Sequence, residues 1–473
     1  MSRPYPDSQF LNGNFAPWLM EGDAFDLVVE GEIPRELVGS YFRNGSNPQF
    51  APGPGYHWFA GDGMIHAFHF EEGRCHYRNR WVRTDRFNAE RKAGRSLFGG
   101  FMGQGEPDPA SEGVSGNASN TNVIWHAGKL LSLWEAGPPY ELDPATLETI
   151  GVWDYDGKFK RERFGSLAPD IMTAHPKLDP DTGECVAFGY SPLPPFLVYH
   201  VVDSDGKLIR SEEVEVPYAS MMHDFVISEE HALFPIMPAV FDFEAIAKTG
   251  SALNWQPERG SHIGILRRDG PVEDMIWIEK EASFSFHYVN AVTTGSTVVT
   301  DIWHLPHLGL FPTEGLEPAP PILHRWTIDL DEKTLIDEAL DDAPAEFGCI
   351  DDRYTGKSYR HMYSLGSLDI PESMGDPEFF NCLFHYDMQR GKRIDAHKLD
   401  EKGDCFGEPQ FVPRSEDAAE GDGFVLAIVY RAAENRSDLV ILDAQNLAAT
   451  PLAVVRCPHR IPYGFHGNWR PAD

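Results

Sequence analysis

Cations are scarce in this chain of 473 residues: 40 Lys and Arg stand against 73 Asp and Glu, a formal charge of -33. Phosphate backbones and anionic membrane surfaces are held by clustered Lys and Arg, so nucleic acid is excluded as the expected partner. No run of 18 apolar residues occurs, and so no spanning helix is expected. The start, Met1-Ser-Arg-Pro-Tyr-Pro, lacks the apolar core of a signal peptide. Six cysteines, at positions 75, 185, 349, 382, 405 and 457, make no C-x-x-C, which fits reduced thiols better than a disulfide framework or a zinc site. Neither G-x-G-x-x-G nor a complete G-x-x-x-x-G-K-[ST] loop is found, so no nucleotide cofactor is expected. These absences describe a cytoplasmic protein without a transmembrane segment.

Apolar residues (42%) and aromatics (12%) are ample for a large core. Gly (43) and Pro (37) are spread evenly, as many short strands joined by tight turns require. Strand–turn–strand units recur with Asp at the corner: Asp143, Asp179, Asp203, Asp329, Asp387 and Asp443. Asp suits a corner because its carboxylate accepts from the N–H groups of its own turn. The last three follow one another at roughly 60 residues, a spacing that four-stranded propeller blades with long loops accommodate. The chain is therefore expected to be all-β over residues 1–473 as one domain: a propeller, with a double-sheet sandwich as the alternative. Helix is expected only around Arg86–Arg95 and at Phe241–Lys248.

Four histidines sit in apolar, turn-rich settings: Thr173-Ala-His175-Pro, Met221-Met-His223-Asp, Ser283-Phe-Ser-Phe-His287-Tyr and Gly464-Phe-His466-Gly. A terminal segment is normally polar and frayed, so the apolar Ile461–Trp469 stretch suggests a tail folded back into the interior. The four lie too far apart in sequence to form a local finger; convergence requires each His to sit on a different blade near the axis. Neutral imidazole suits Fe, Zn, Cu and Ni alike, and usually gives its second N–H to a carboxylate. Glu135, Glu346 and Glu408, each in apolar surroundings, could receive it; a buried carboxylate needs some such partner. With 19 histidines in the chain, each taken alone is more often a surface or core residue.

The four histidine contexts, in this order, resemble the iron site of the carotenoid cleavage oxygenase family, which includes apocarotenoid oxygenases, lignostilbene dioxygenases and the retinoid isomerase of the eye. The resemblance extends over Gly39–Pro48, Tyr56–Met64, Asn120–Val123, Leu131–Glu135 and Glu408–Arg414. It implies a seven-bladed β-propeller, with long loops capping one face over an axial Fe(2+). It implies His175, His223, His287 and His466 as ligands, Glu135, Glu346 and Glu408 as the carboxylates behind them, and Thr121 beside an open coordination position. The implied reaction joins O2 to an apolar conjugated alkene and releases two carbonyl products. Phe59, Phe101, Trp134, Phe284 and Phe286 are expected to line the substrate tunnel.

In stilbene-cleaving members a Tyr and a Lys hold the phenolic hydroxyl; the matching positions here are Phe101 and Trp134, which cannot take up a proton. This favours an apocarotenoid or related polyene. Glu90–Gly100 resembles the stilbene branch instead, and keeps a stilbenoid or phenylpropanoid alkene as the alternative. Three rival readings carry different signatures. A 2-oxoglutarate oxygenase would use His385, Asp387 and His459. A non-catalytic propeller would bind a partner without iron. An isomerohydrolase would consume no O2 and would need membrane-borne esters. His304 and His307 form a weak local metal pair, and the Pro-rich stretch Leu305–Pro321 is a candidate for peripheral membrane contact.

Overall fold

The computed structural model describes residues 4–100, 108–159, 171–244, 251–310, 316–368 and 379–472. Among these residues the strands form seven antiparallel sheets and a two-stranded ribbon. Blade 1 joins Gly22–Ala24, Arg74–Trp81, Gly63–Glu71 and Gly39–Ser46, and takes its last strand, Gly467–Pro471, from the other end of the chain. Blade 2 runs from Asn122–His126 to Thr149–Val152, blade 3 from Lys177–Leu178 to Leu208–Val214, and blade 4 from Val226–Ile227 to Ile276–Lys280. Blade 5 spans Tyr288–Thr294 to Thr334–Ala339 and blade 6 spans Ala345–Ile350 to Lys392–Lys398. Blade 7 holds Cys405–Phe406, Gln410–Pro413, Gly423–Arg431, Arg436–Asp443 and Ala453–Arg456, and its edge is completed by Val29–Gly31. The ring is thus closed twice, by Val29 pairing with Val455 and by Gly467 pairing with Arg43. Closure removes the exposed edges that an open all-β chain would carry.

Blade packing explains the composition of the strands. Gly423–Arg431 is buried at every position but its last, because sheets cover it on both faces, and it accordingly reads as a continuous apolar run. Thr334–Ala339, the outermost strand of blade 5, is exposed at most positions, Ile336 included. Burying a large apolar side chain contributes about 1.5–3 kcal/mol, and Trp303, Trp326, Tyr199, Phe188 and Phe234 are all fully covered between blades.

The Asp corners act as the sequence suggests. Asp143 accepts from Ala145 and Thr146 N–H, Asp179 from Asp181 and Thr182, and Asp329 from Asp331 and Glu332. Asp203, Asp387 and Asp443 accept from Lys207, Arg390 and Gln445 in the same way. The helix near Arg86 spans Asp85–Ala93; Thr84 caps it by accepting from Phe87 N–H, and Gly94 ends it in the left-handed conformation. The helix expected at Phe241–Lys248 is not formed where it is described. Ala239–Phe241 instead pairs with Leu253–Trp255 as a ribbon, the apolar run serving a hairpin, and residues 245–248 lie outside the described residues.

Candidate metal centre

Seven of the chemistry-bearing residues lie just ahead of a strand or at its start, each in a different blade. Thr121 leads into blade 2, His175 into blade 3, His223 into blade 4, His287 into blade 5 and His466 into the Gly467–Pro471 strand of blade 1. Glu346 lies on the first strand of blade 6, and Glu408 just ahead of Gln410–Pro413 in blade 7. These leading ends meet at one place. His466 N–H donates to Thr121 O at 3.2 Å, and the four imidazoles face one another with every ligand nitrogen within 4.8 Å of the others. Ring centroids of neighbours are 4.4–5.1 Å apart, and the planes are inclined at 59–86°.

Three carboxylates hold the outer nitrogens. Glu346 Oε2 lies 2.6 Å from His287 Nδ1, Glu408 Oε1 lies 2.7 Å from His466 Nδ1, and Glu135 Oε2 is in contact with His223 Nδ1. Each pair fixes Nδ1 as the protonated nitrogen, leaving the Nε2 lone pair aimed inward. The carboxylates are themselves secured differently. Glu408 accepts from Arg43 Nη1 at 2.7 Å and Gly467 N–H at 2.8 Å. Glu135 accepts from the Tyr190 hydroxyl at 2.5 Å, and Glu346 from Phe347 N–H at 2.6 Å.

A fourth carboxylate, Asp224, was not singled out by sequence. It accepts from Tyr288 N–H (2.9 Å) and pairs with Lys177 Nζ (2.7 Å), tying together the residues that follow His175, His223 and His287. Its signal was available in Met221-Met-His223-Asp, an acidic residue inside an apolar segment. Arg43 and Tyr190 left no such signal, since their partners are 365 and 55 residues away.

Burial dominates the electrostatics. It holds His175 well below the ordinary imidazole range, helped by the imidazoles of His466, His223 and His287. It brings His466 down to about 4 despite Glu408. For His287 burial also pulls downward, but Glu346 outweighs it and the net direction is up. Burial alone would raise Glu408; His466, Arg43 and the Gly467 N–H together keep it below the usual carboxylate range.

The remaining predicted residues divide. Phe286 meets the His223 ring edge-on at 5.7 Å, with Phe284 behind it at 4.8 Å and fully buried. Phe59 packs on Phe465, the neighbour of His466, at 5.5 Å. Trp134 is half-buried beside Glu135, and Phe101 lies outside the described residues. The Thr121 hydroxyl donates to Asn120 Oδ1 at 3.0 Å. Phe347, which sequence reading missed, inclines over His287 and His466 at 5.0 and 5.3 Å. It adopts a positive, left-handed φ at a bulge in the Ala345–Ile350 strand. That conformation is uncommon for a bulky residue and typical of functional sites.

The rival clusters do not assemble. Asp387 accepts from Arg360 and caps its turn, His385 bonds His361, and His459 stacks on Trp18. His307 Nε2 lies beside the Glu317 carbonyl. In the Leu305–Pro321 stretch, Leu305 and Leu308 are buried in the core and Leu316 is exposed, with 311–315 outside the described residues.

Comparison with known proteins agrees with this geometry. Residues 15–471 match the family model described as retinal pigment epithelial membrane protein. The chain belongs to that family, the carotenoid oxygenases. Isoeugenol monooxygenase of Pseudomonas putida is 39% identical, with 97% of each chain covered. Lignostilbene-alpha,beta-dioxygenase isozyme III of Sphingomonas paucimobilis is 35% identical over 99% of this chain and 98% of its own. The crystal structure of Pseudomonas brassicacearum lignostilbene dioxygenase superposes with a TM-score of 0.91 at 35% identity over the whole of both chains. Cobalt-substituted Synechocystis ACO gives 0.84 at 28% identity, covering 96% of this chain and 97% of its own.

The residues fit the metal that the family implies. Nitrogens about 2.1 Å from one ion and at right angles to each other would be about 3.0 Å apart; His175 and His223 Nε2 are separated by 3.0 Å. His287 Nε2 is buried without a hydrogen-bond partner among the described residues. A buried nitrogen in that state is costly unless something bonds it, and a cation would.

Proposed function

We propose that this member of the family is a non-haem Fe(II) oxygenase that cleaves a C=C bond of an apolar conjugated alkene with O2, giving two carbonyl products. The observation that carries the reading is the inward convergence of four Nε2 atoms with no carboxylate among them. His175, His223, His287 and His466 would hold the ion, and Glu135, Glu346 and Glu408 would fix the tautomer and direction of three of the imidazoles. Fe(II) bound there supplies the one-electron chemistry through which ground-state O2 reacts with a closed-shell alkene. The four imidazoles would hold the ion without a bound carboxylate, and the bound iron would still be able to take up small molecules. No side chain need donate a proton. Thr121, whose hydroxyl is engaged by Asn120, would act by occupying space beside one open position.

The substrate would be held by area against Phe59, Phe286 and Trp134. These groups carry no ionisable function, which supports an apocarotenoid or related polyene. A phenylpropanoid or stilbenoid alkene is the second reading, supported by relatives whose names specify isoeugenol and lignostilbene. Six scattered cysteines without a C-x-x-C support a reducing cytoplasm as the compartment, and among the described residues no helix is long and apolar enough to cross a membrane.

The test is anaerobic loading with iron, then exposure to apocarotenals, 4-hydroxystilbene and isoeugenol under O2. Paired aldehydes seen by mass spectrometry, with matching O2 uptake, are expected. Fully loaded protein that consumes no O2 on any of them would overturn the proposal.

A further inference from the structure

Helix Asp85–Ala93 lies away from the histidines, and nothing above gives it a function. Its two buried charged side chains, Arg86 and Glu90, are one turn apart, and they are 9% and 2% exposed. A helix that only filled space would bury apolar residues there, as it does with Phe87 against Trp81 and Met64. Both charges point instead into loops.

Arg86 Nη2 donates to the carbonyl of Ala60 at 2.6 Å, and the same guanidinium stacks on the Phe98 ring at 5.0 Å and pairs with buried Asp62 at 3.5 Å. Glu90 Oε1 accepts from Leu97 N–H at 2.9 Å, and more distantly from Phe98 N–H and the Ser96 hydroxyl. The first loop is the Trp58–Ala60 turn that carries Phe59. Its far side is pinned by Asn120, which donates to the carbonyls of Phe59 and Gly61 and is the neighbour of Thr121. Trp58 and Phe59 both rest on Phe465, next to His466. One pair of helix residues therefore ties together two aromatic loop segments, one of which abuts the metal centre.

We propose that Arg86 and Glu90 are positioning residues that set the spacing of the Phe59 and Phe98 segments, and through it the binding and selection of the alkene. This rests on the alkene-cleavage reading above. Arg suits the first position because one planar fork serves a carbonyl, a carboxylate and a ring face together, which an ammonium cannot. Glu suits the second because a single oxygen must accept from consecutive backbone N–H groups. Shifting a substrate wall by about 1 Å can cost up to about a hundredfold in rate through misplacement alone.

The experiment uses full-length iron-loaded protein, comparing wild type with Arg86→Lys, Arg86→Met, Glu90→Ala and Glu90→Gln. For each, iron content, kcat and KM on 4-hydroxystilbene and on an apocarotenal are measured, with trans-stilbene binding under anaerobic conditions. Glu90→Ala and Arg86→Met should raise KM and the trans-stilbene Kd about tenfold and alter the ratio of kcat/KM between the two alkenes, with iron content unchanged and kcat within about threefold. Glu90→Gln keeps an accepting oxygen and should recover most of the loss; Arg86→Lys should not recover it. A lowered Tm with KM, Kd and the selectivity ratio all unmoved would mean a merely structural role and overturn the proposal. Wild type that loads iron but cleaves neither alkene, nor isoeugenol, would overturn the alkene-cleavage reading, and this inference with it. Wild type that cleaves both, with all four variants behaving alike, would overturn this inference alone.

Discussion

Among the described residues, two places on this propeller bring three or more ligand-type side chains within 4.8 Å: the axial histidines, and His304, His324 and Asp337 on blade 5. The axial rings are inclined at 59–86°, so their in-plane lone pairs can share one centre. His304 and His324 are stacked 4.2 Å apart at 16°, and an ion in the plane of one ring would lie over the face of the other. The axial carboxylates take the outer nitrogens and leave the inner ones free. Asp337 accepts from His324 and is also paired with Lys280 at 3.1 Å, a cation already in place. Proximity of ligand atoms alone does not make a metal site; direction and local charge do.

The largest expected effect comes from removing one axial ring. His287→Ala should lower bound iron, measured after reconstitution and desalting, to below about a tenth of an equivalent, because affinity depends on the full ligand set. Retention of a full equivalent would place the ion elsewhere and break the comparison. Next come the supporting carboxylates. Glu135→Gln, Glu346→Gln and Glu408→Gln should each weaken metal binding about 10–100-fold in chelator competition. Asp337→Asn should leave that affinity unchanged. Equal losses in all four variants would show a global effect in place of a local one.

Acid should separate the buried histidines from Asp337. The folded chain keeps His466 neutral down to about 4, chiefly by burial, while an unfolded imidazole titrates near about 6.5. Protons therefore bind the unfolded state first, and stability falls as pH drops from about 6.5 to 4. His57, His69, His200, His304 and His385, also held at about 4 by burial, act in the same direction. Asp337 is held below the usual range: burial would raise it, but His324 and Lys280 outweigh that. Its contribution is present above about pH 4 and is lost only at lower pH. The urea midpoint of metal-free protein should decline across the first window; a flat midpoint from about 6.5 to 4.5 would contradict the burial account.

Much of this was legible in the chain because it is local. The Asp corners announce hairpins by their own side-chain chemistry, and the helix at Asp85 by its Thr84 and Gly94 ends. The spacings of the histidines in apolar turns rule out a local finger, and the four become legible as a set through the resemblance of their contexts, in order, to the family's iron site. What stayed hidden depends on partners distant in sequence. Arg43 meets Glu408 only after the ring closes, Asp224 joins three blades, and Phe347 reaches two histidines through a bulge that no residue pattern announces. The Phe241 stretch misled because a short apolar run with an Ala and a Lys reads equally as helix or hairpin.

The smallest effect belongs to the second cluster. His304→Leu should leave metal content and alkene turnover unaltered, because that ring neither aims a lone pair at a shared point nor borders the axial site. Its stability cost should be small, since Leu fills similar space against the His324 face. His324→Leu removes a partly exposed imidazole–carboxylate pair, a class worth about 0–1 kcal/mol. Lys280 remains on Asp337, so the carboxylate is not stranded. Zinc titration of the metal-free protein provides the check. A single equivalent bound with the same affinity in wild type and both variants is expected, whereas a second equivalent lost with either histidine would make blade 5 a metal site despite its stacked rings.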